Sequence, residues 1–264
     1  MVAAVLARRY AFPGGLRRVY CYHVEKTAGV SLESAFLALG EEDPEVVRAR
    51  MDASRFRRTR SNGFVFAAGD ADLIAGGRWF FAHSHWPAHR LRLPPDTFTV
   101  TILRDPMARV QSLYRYIVGR VRDGRDVPPD RRRWVEAGFE RFIERIPPNF
   151  LLRHTFMFSS RLDVGEAAER IAACSHVMST EGFEDGLARL AIRLDLPLAS
   201  FRHNVSSAEV EFGEAPLERL ASMLEPEYRL LARLRREGVI EDLAGSAAPG
   251  VPVVPAGSSN AKAG

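Results

Sequence analysis

The chain has 264 residues, 46% hydrophobic and 27% charged, a globular composition with enough length for one well-buried core. A net charge of +4 and a pI near 9.4 fit an anionic ligand without demanding nucleic acid. The only cysteines, Cys21 and Cys174, exclude a disulfide framework and a cysteine zinc site.

The opening MVAAVLARRYAFPGG has an apolar run too short for a signal h-region or a membrane span, so a soluble, cytoplasmic protein is expected. No internal repeat points to a solenoid or propeller. The expected organisation is an N-terminal extension over 1–17, one domain over 18–240 and a disordered tail over 241–264, where Ala, Gly, Ser, Pro and Val lack periodicity.

The first organised stretch is 19–39. Val19, Cys21 and His23 alternate with Tyr20 and Tyr22 as in a strand, Ala28-Gly29 breaks the run, and Leu32, Ala35, Phe36 and Leu39 recur at helical spacing. A strand feeding a helix through such a loop gathers backbone N–H groups, the positive helix end and an ammonium around one point, which attracts phosphate or sulfate. The ammonium is Lys26. Of the 37 Lys and Arg residues only Lys26 and Lys262 are lysine, so a compact point charge stands here in a chain that otherwise uses arginine.

Region 41–60 reads as a mixed helix and loop whose arginines, Arg48 to Arg60, face water. Short strands are expected over 64–67 and 78–82, the latter running into His83-Ser84-His85-Trp86. The clearest strand is 97–103, where Thr97, Thr99 and Thr101 alternate with Phe98, Val100 and Ile102. Arg104 follows, then Asp105 as N-cap and Pro106 at the first helical position.

The next helix has Met107, Val110, Leu113, Tyr114 and Ile117 on one face, with Arg109, Ser112 and Tyr116 on the other. A polar loop over 121–130 and helices over 131–146, 181–194 and 215–236, the last interrupted near Pro226, complete the pattern with a short strand over 176–178.

No G-x-x-x-x-G-K-[ST] string is present, which counts against an ordinary nucleotide triphosphatase or kinase. The string HVEKTAGVS resembles instead the first signature of carbohydrate sulfotransferases of the uronyl and chondroitin type, which use 3′-phosphoadenosine 5′-phosphosulfate (PAPS). TVTILRDPMARVQSLYRY resembles the second signature of that family.

The resemblance implies a bacterial-like member of the PAPS-dependent sulfotransferases (EC 2.8.2 type). It implies a three-layer, P-loop-like α/β fold with a central, mostly parallel β-sheet flanked by helices. By position, Lys26, Thr27, Ala28, Gly29, Val30 and Ser31 would form the phosphosulfate loop, and Arg104 and Ser112 the 3′-phosphate clamp. His83-Ser84-His85 is similar to the family's His-Gly-His. The likeness continues in Thr180-Glu181 and in His203-Asn204-Val205-Ser206, placing Asn204 and Ser206 over the nucleotide. Two positions depart from the pattern: Glu25 replaces a Pro and Val30 replaces a Thr.

Sulfuryl transfer resembles phosphoryl transfer, an in-line displacement governed by positioning and charge stabilisation. Lys26 would neutralise the bridging oxygen of the leaving nucleotide. The acceptor hydroxyl needs a base, for which His85 is the first choice and His83 the second, since alternate positions past a strand end both reach a mouth. With His89 these histidines have the density of a metal set, but no acid or cysteine lies at ligand spacing, so no metal is expected.

The expected acceptor is a carbohydrate or glycolipid. Neither a nucleic-acid partner nor stable membrane insertion is expected. Candidate acceptor loops are 48–60, 121–133 and 149–158. Two other readings stand beside this one: an ATP-dependent P-loop small-molecule kinase, with Asp105 as its magnesium-binding acid, and a non-catalytic binder of acidic glycans indifferent to Lys26→Ala.

Overall fold

The computed structural model describes residues 18–201 and 210–240. Six strands, β1 (Arg18–Tyr22), β2 (Arg58–Ser61), β3 (Phe64–Ala68), β4 (Phe81–Ser84), β5 (Thr97–Leu103) and β6 (His176–Ser179), form one sheet in the order β2-β3-β4-β1-β5-β6. All neighbours are parallel except the β2–β3 hairpin, which closes one edge. The fold is thus α/β with a central, mostly parallel sheet flanked by helices.

Twelve α-helices accompany the strands among the described residues. In chain order they are α1 (Gly29–Leu37), α2 (Pro44–Ala53), α3 (Ala71–Ala75), α4 (Pro106–Arg122), α5 (Pro129–Val135), α6 (Gly138–Arg145), α7 (Pro148–Leu151), α8 (Arg153–Phe158), α9 (Val164–Ala172), α10 (Phe183–Leu194), α11 (Glu214–Met223) and α12 (Glu225–Arg236). None is long and apolar enough to cross a membrane.

The alternation in β1 assigns its two faces. Val19 and Cys21 join Leu32, Phe36, Phe81 and Val100 in the core beneath α1 and α10, whereas Tyr20 packs on the other face with Ile74, Trp79 and Ala82. A separate cluster built from Val110, Leu113, Phe139, Phe142 and Leu220 holds α4, α6 and α11 together as a helical lobe.

Strand 97–103 and the helix start at Pro106 occur as expected; Asp105 accepts the Ala108 N–H at 2.8 Å. Several expectations change. The strand expected over 78–82 begins at Phe81, with Trp79 ahead of it donating its indole N–H to the Ile74 carbonyl at 2.9 Å, and it continues through His83 to Ser84. The helix expected over 131–146 breaks ahead of Gly138, which has φ 85. The interruption expected near Pro226 in the helix over 215–236 does occur, at Leu224. Strand β2 and helices α3, α7, α8 and α9 form where no regular element was expected. The N-terminal extension, the C-terminal tail, Asn204 and Ser206 lie outside the described residues.

Candidate active site

Between β1 and α1 the chain turns sharply through two non-glycine residues in the left-handed region, Lys26 at φ 69 and Ala28 at φ 63. Each conformation costs about 1–2 kcal/mol for a residue with a Cβ, and Thr27 offsets part of it by donating its hydroxyl to the Val24 carbonyl at 2.8 Å. Gly29 is required for another reason: a Cβ there would lie 2.1 Å from the His23 ring. The turn opens onto the first turn of α1, which contains no acidic residue and has no side-chain cap, so no carboxylate of that turn offsets its positive dipole end.

A second strand–loop–helix junction lies alongside. Arg104 follows β5, the neighbour of β1, and donates from Nη1 to the Lys26 carbonyl at 3.1 Å. Its own N–H donates to His154 Nε2 at 3.3 Å. The other ring nitrogen of His154, Nδ1, is hydrogen-bonded to Glu227, and both side chains are fully buried. Glu227 also accepts the Thr155 N–H and hydroxyl, each at 2.8 Å. Burial alone would raise its pKa, but His154, Arg109 and the Thr155 N–H hold it down to about 2. A buried ionic network therefore fixes the backbone at Arg104.

Both junctions open on one cavity of about 1280 Å³, lined by Lys26, Ala28, Gly29, Val30 and Ser31 from the first and by Arg104, Ser112, Arg115, Tyr116 and Arg120 from the second. Thr180 and His85 also line it. The Lys26 ammonium lies over the Tyr116 ring, 4.2 Å from its centroid. Burial, with Arg104 adding repulsion, lowers its pKa to about 8.

Glu25 is tied to Arg131 of α5 at 2.8 Å. Burial raises the Glu25 pKa, but His85, Arg131 and Arg153 overcome it and keep the carboxylate below its ordinary range. The departure from the family pattern at Glu25 thus comes with its own counter-charge.

The two candidate bases occupy different settings. His83 lies within β4, opposite Cys21 of β1 and Ala68 of β3, and does not line the cavity. Its Nε2 meets the buried carboxylate of Glu33 at 3.0 Å, and Glu33 also receives Arg48 Nε at 2.9 Å. His85 lies past the strand end. Its Nδ1–H donates to the His23 carbonyl at 2.7 Å, which leaves the lone pair of the neutral ring on Nε2. Arg153 Nη2 donates to the His85 carbonyl at 2.9 Å and fixes the backbone there. The His85 ring is open to the cavity, yet enclosure by its walls, with repulsion from His83 and Arg153, lowers the pKa against the opposing pull of Glu25 and the His23 carbonyl.

His23, buried between the other two rings at centroid distances of 5.5 Å from His83 and 4.5 Å from His85, is held well below its ordinary pKa by burial first, and then by the neighbouring His85, His83, Lys26 and Arg153. Among the described residues no group of three or more His, Cys, Asp or Glu side chains is arranged to hold a metal ion.

Thr27 is buried behind the loop and does not line the cavity. Arg109, opposite the apolar stripe of α4, is fully buried because α7 and α8 cover it, and it donates to the carbonyls of Phe150 and Leu151. The arginines of 48–60 are largely spoken for: Arg48 pairs with Glu33 and Glu45, Arg50 with Glu42, and Arg57 with Asp52. Glu33, Arg131, Arg153, His154 and Glu227 carried no local signal in the sequence; their partners lie 50 or more residues away in the chain, apart from the Arg48 pairing of Glu33.

No family model matches the chain, and no curated protein matches it. Among solved structures, a sulfotransferase from Alicyclobacillus acidocaldarius aligns over 83% of this chain and 96% of that chain, at 16% identity and a TM-score of 0.39. At that distance the likeness does not bear on function.

Proposed function

We propose that the protein transfers a sulfuryl group from PAPS to a hydroxyl of a carbohydrate acceptor. One observation carries the reading: two strand–loop–helix junctions and a histidine with an available ring nitrogen converge on a single cavity. The residues fit the co-substrate. The helix N-terminus and Lys26 offer donors for one anionic end, Arg104 and Ser112 for the other, and Arg131 neutralises the intruding Glu25.

In this reading His85 Nε2 takes the proton of the acceptor hydroxyl as its oxygen bonds to sulfur and the bond from sulfur to the 5′-phosphate oxygen breaks. Lys26 faces the charge that collects on that leaving oxygen, and Arg104 braces the loop through the Lys26 carbonyl. His83, held by Glu33, supports the strand end from which His85 projects.

Titration calorimetry with 3′,5′-ADP and with ADP tests the reading. The 3′-phosphate clamp predicts clearly tighter binding of 3′,5′-ADP; equal affinities, or no binding of either, would remove it. Equal affinities with a magnesium requirement would favour the kinase alternative instead.

A further inference from the structure

At the carboxyl edge of the sheet, strand order sets four positions in a row: Arg104 after β5, Lys26 after β1, His85 after β4 and Gly69 after β3. The proposed nucleotide site occupies the first two. The far side of His85 is built differently. Trp86, the next residue, is 40% exposed, and its indole N–H donates to the Gly69 carbonyl at 2.7 Å while its backbone N–H donates to Ser84 Oγ at 3.1 Å. The indole is therefore held through its ring N–H while the side chain stays partly open to solvent.

Gly69 also receives the Arg57 side chain, whose Nη1 lies 3.2 Å from where a Cβ would stand. The Arg57 carbonyl accepts the Ala68 N–H at 2.9 Å, and its own N–H closes a turn on the Ser54 carbonyl at 2.9 Å. That turn presents Phe56, 63% exposed. Two of the five exposed large apolar side chains among the described residues are thus gathered at one strand end, with a guanidinium between them in the chain of contacts.

We infer that Trp86, with Arg57 and Phe56 beyond it, forms a stacking subsite for a pyranose ring of the acceptor, on the side of His85 opposite the nucleotide. The inference rests on the sulfotransferase reading for its place in the reaction, but the binding it describes stands apart from that reading. A pyranose has an apolar C–H face that suits the electron-rich face of an indole, and a rim of hydroxyls. The Arg57–Asp52 pair, at 2.7 Å and about half exposed, offers both planar donors and acceptor oxygens to such a rim. An open, edge-fixed ring suits a unit within a chain of sugars, whereas a small phenol needs an enclosed apolar slot.

Collisional quenching tests the inference on the whole protein. Of the three tryptophans, Trp79 and Trp134 are 5% and 6% exposed, so acrylamide reports chiefly on Trp86. Hexasaccharides from chondroitin, chitin and cellulose serve as probes. At least one is expected to protect, lowering the quenching constant about two-fold, and exposed-site Phe56→Ala or Arg57→Ala should weaken that protection about ten-fold in saccharide concentration. No protection by any of the three, or protection unchanged in both variants, overturns the subsite. A parallel 3′,5′-ADP titration reads the sulfotransferase proposal separately, since its failure leaves the saccharide result intact.

Discussion

His83 and His85 stand two residues apart on one segment, yet the fold gives them opposite chemistry. His83 is a sheet residue whose Nε2–H is committed to a buried carboxylate, itself clamped by Arg48. His85 is past the strand end, and a backbone carbonyl holds its Nδ1–H. The carboxylate commits the one ring nitrogen of His83 that it holds, whereas a carbonyl on Nδ1–H leaves the opposite nitrogen of His85 with its lone pair available. The difference follows their place on the chain: His83 is paired on both sides within β4, and His85 lies past the strand's last residue, Ser84.

Replacing each histidine is the strongest way to break this comparison. His85→Ala is expected to lower kcat for sulfuryl transfer by roughly 10²–10⁴-fold, the range of a lost general base, with 3′,5′-ADP affinity retained. His83→Ala should leave turnover within about ten-fold. Equal losses in both variants would show that the hydrogen-bond pattern does not assign the base.

Stability should reverse the ranking. Glu33→Ala leaves Arg48 and His83 without their shared buried partner, and removal of one member of such a set costs about 3–5 kcal/mol. Guanidinium denaturation reads it directly, and His85→Ala should unfold close to the parent. The pH dependence has a definite sign. Burial opposes ionisation of Glu33, but His83 and Arg48 bring its pKa down to about 2 from an ordinary 4.5. Its contribution is therefore fully present above about pH 4.5 and is lost as pH falls toward 2.

Lys26 supplies the next effect, on the same side of the comparison as His85. Burial and Arg104 place its pKa near 8 in the free protein, and an anion bound beside it favours the ammonium. Affinity for 3′,5′-ADP should be nearly flat below that pH and fall above it, by up to about ten-fold per pH unit while the complex stays protonated. Lys26→Met should weaken binding and flatten the profile; a slope that persists in the variant would assign the proton elsewhere.

The strand–loop–helix junctions were legible because each is written in contiguous residues: alternating β1 and β5, the Asp105 cap, Pro106 at the first helical position. The central, mostly parallel sheet was implied by the family resemblance that these stretches carry. What was not legible depends on pairings distant in sequence. His83 enters the sheet by pairing with Cys21 of β1 and Ala68 of β3. Arg153 reaches the His85 carbonyl from 68 residues away, and Glu227 reaches His154 across 73. Short apolar segments such as 148–158 have neither the length nor the periodicity to show that they cover Arg109.

The finest test uses the acid limb of kcat/KM. Enclosure, His83 and Arg153 lower the His85 pKa, while Glu25 and the His23 carbonyl act against them, and the sum lies below the ordinary 6.5. A base must be neutral, so activity should rise with pH through a limb on the acid side of that value. His83→Ala removes a repulsive neighbour and should move the limb upward. Glu25→Gln removes an attractive one and should move it downward, with Arg131 still in place to hold the amide. Movements of opposite sign identify the titrating group by its surroundings, which a general loss of stability would not reproduce. Two limbs that move together, or a limb that survives in His85→Ala, would mean that a group other than His85 carries the proton.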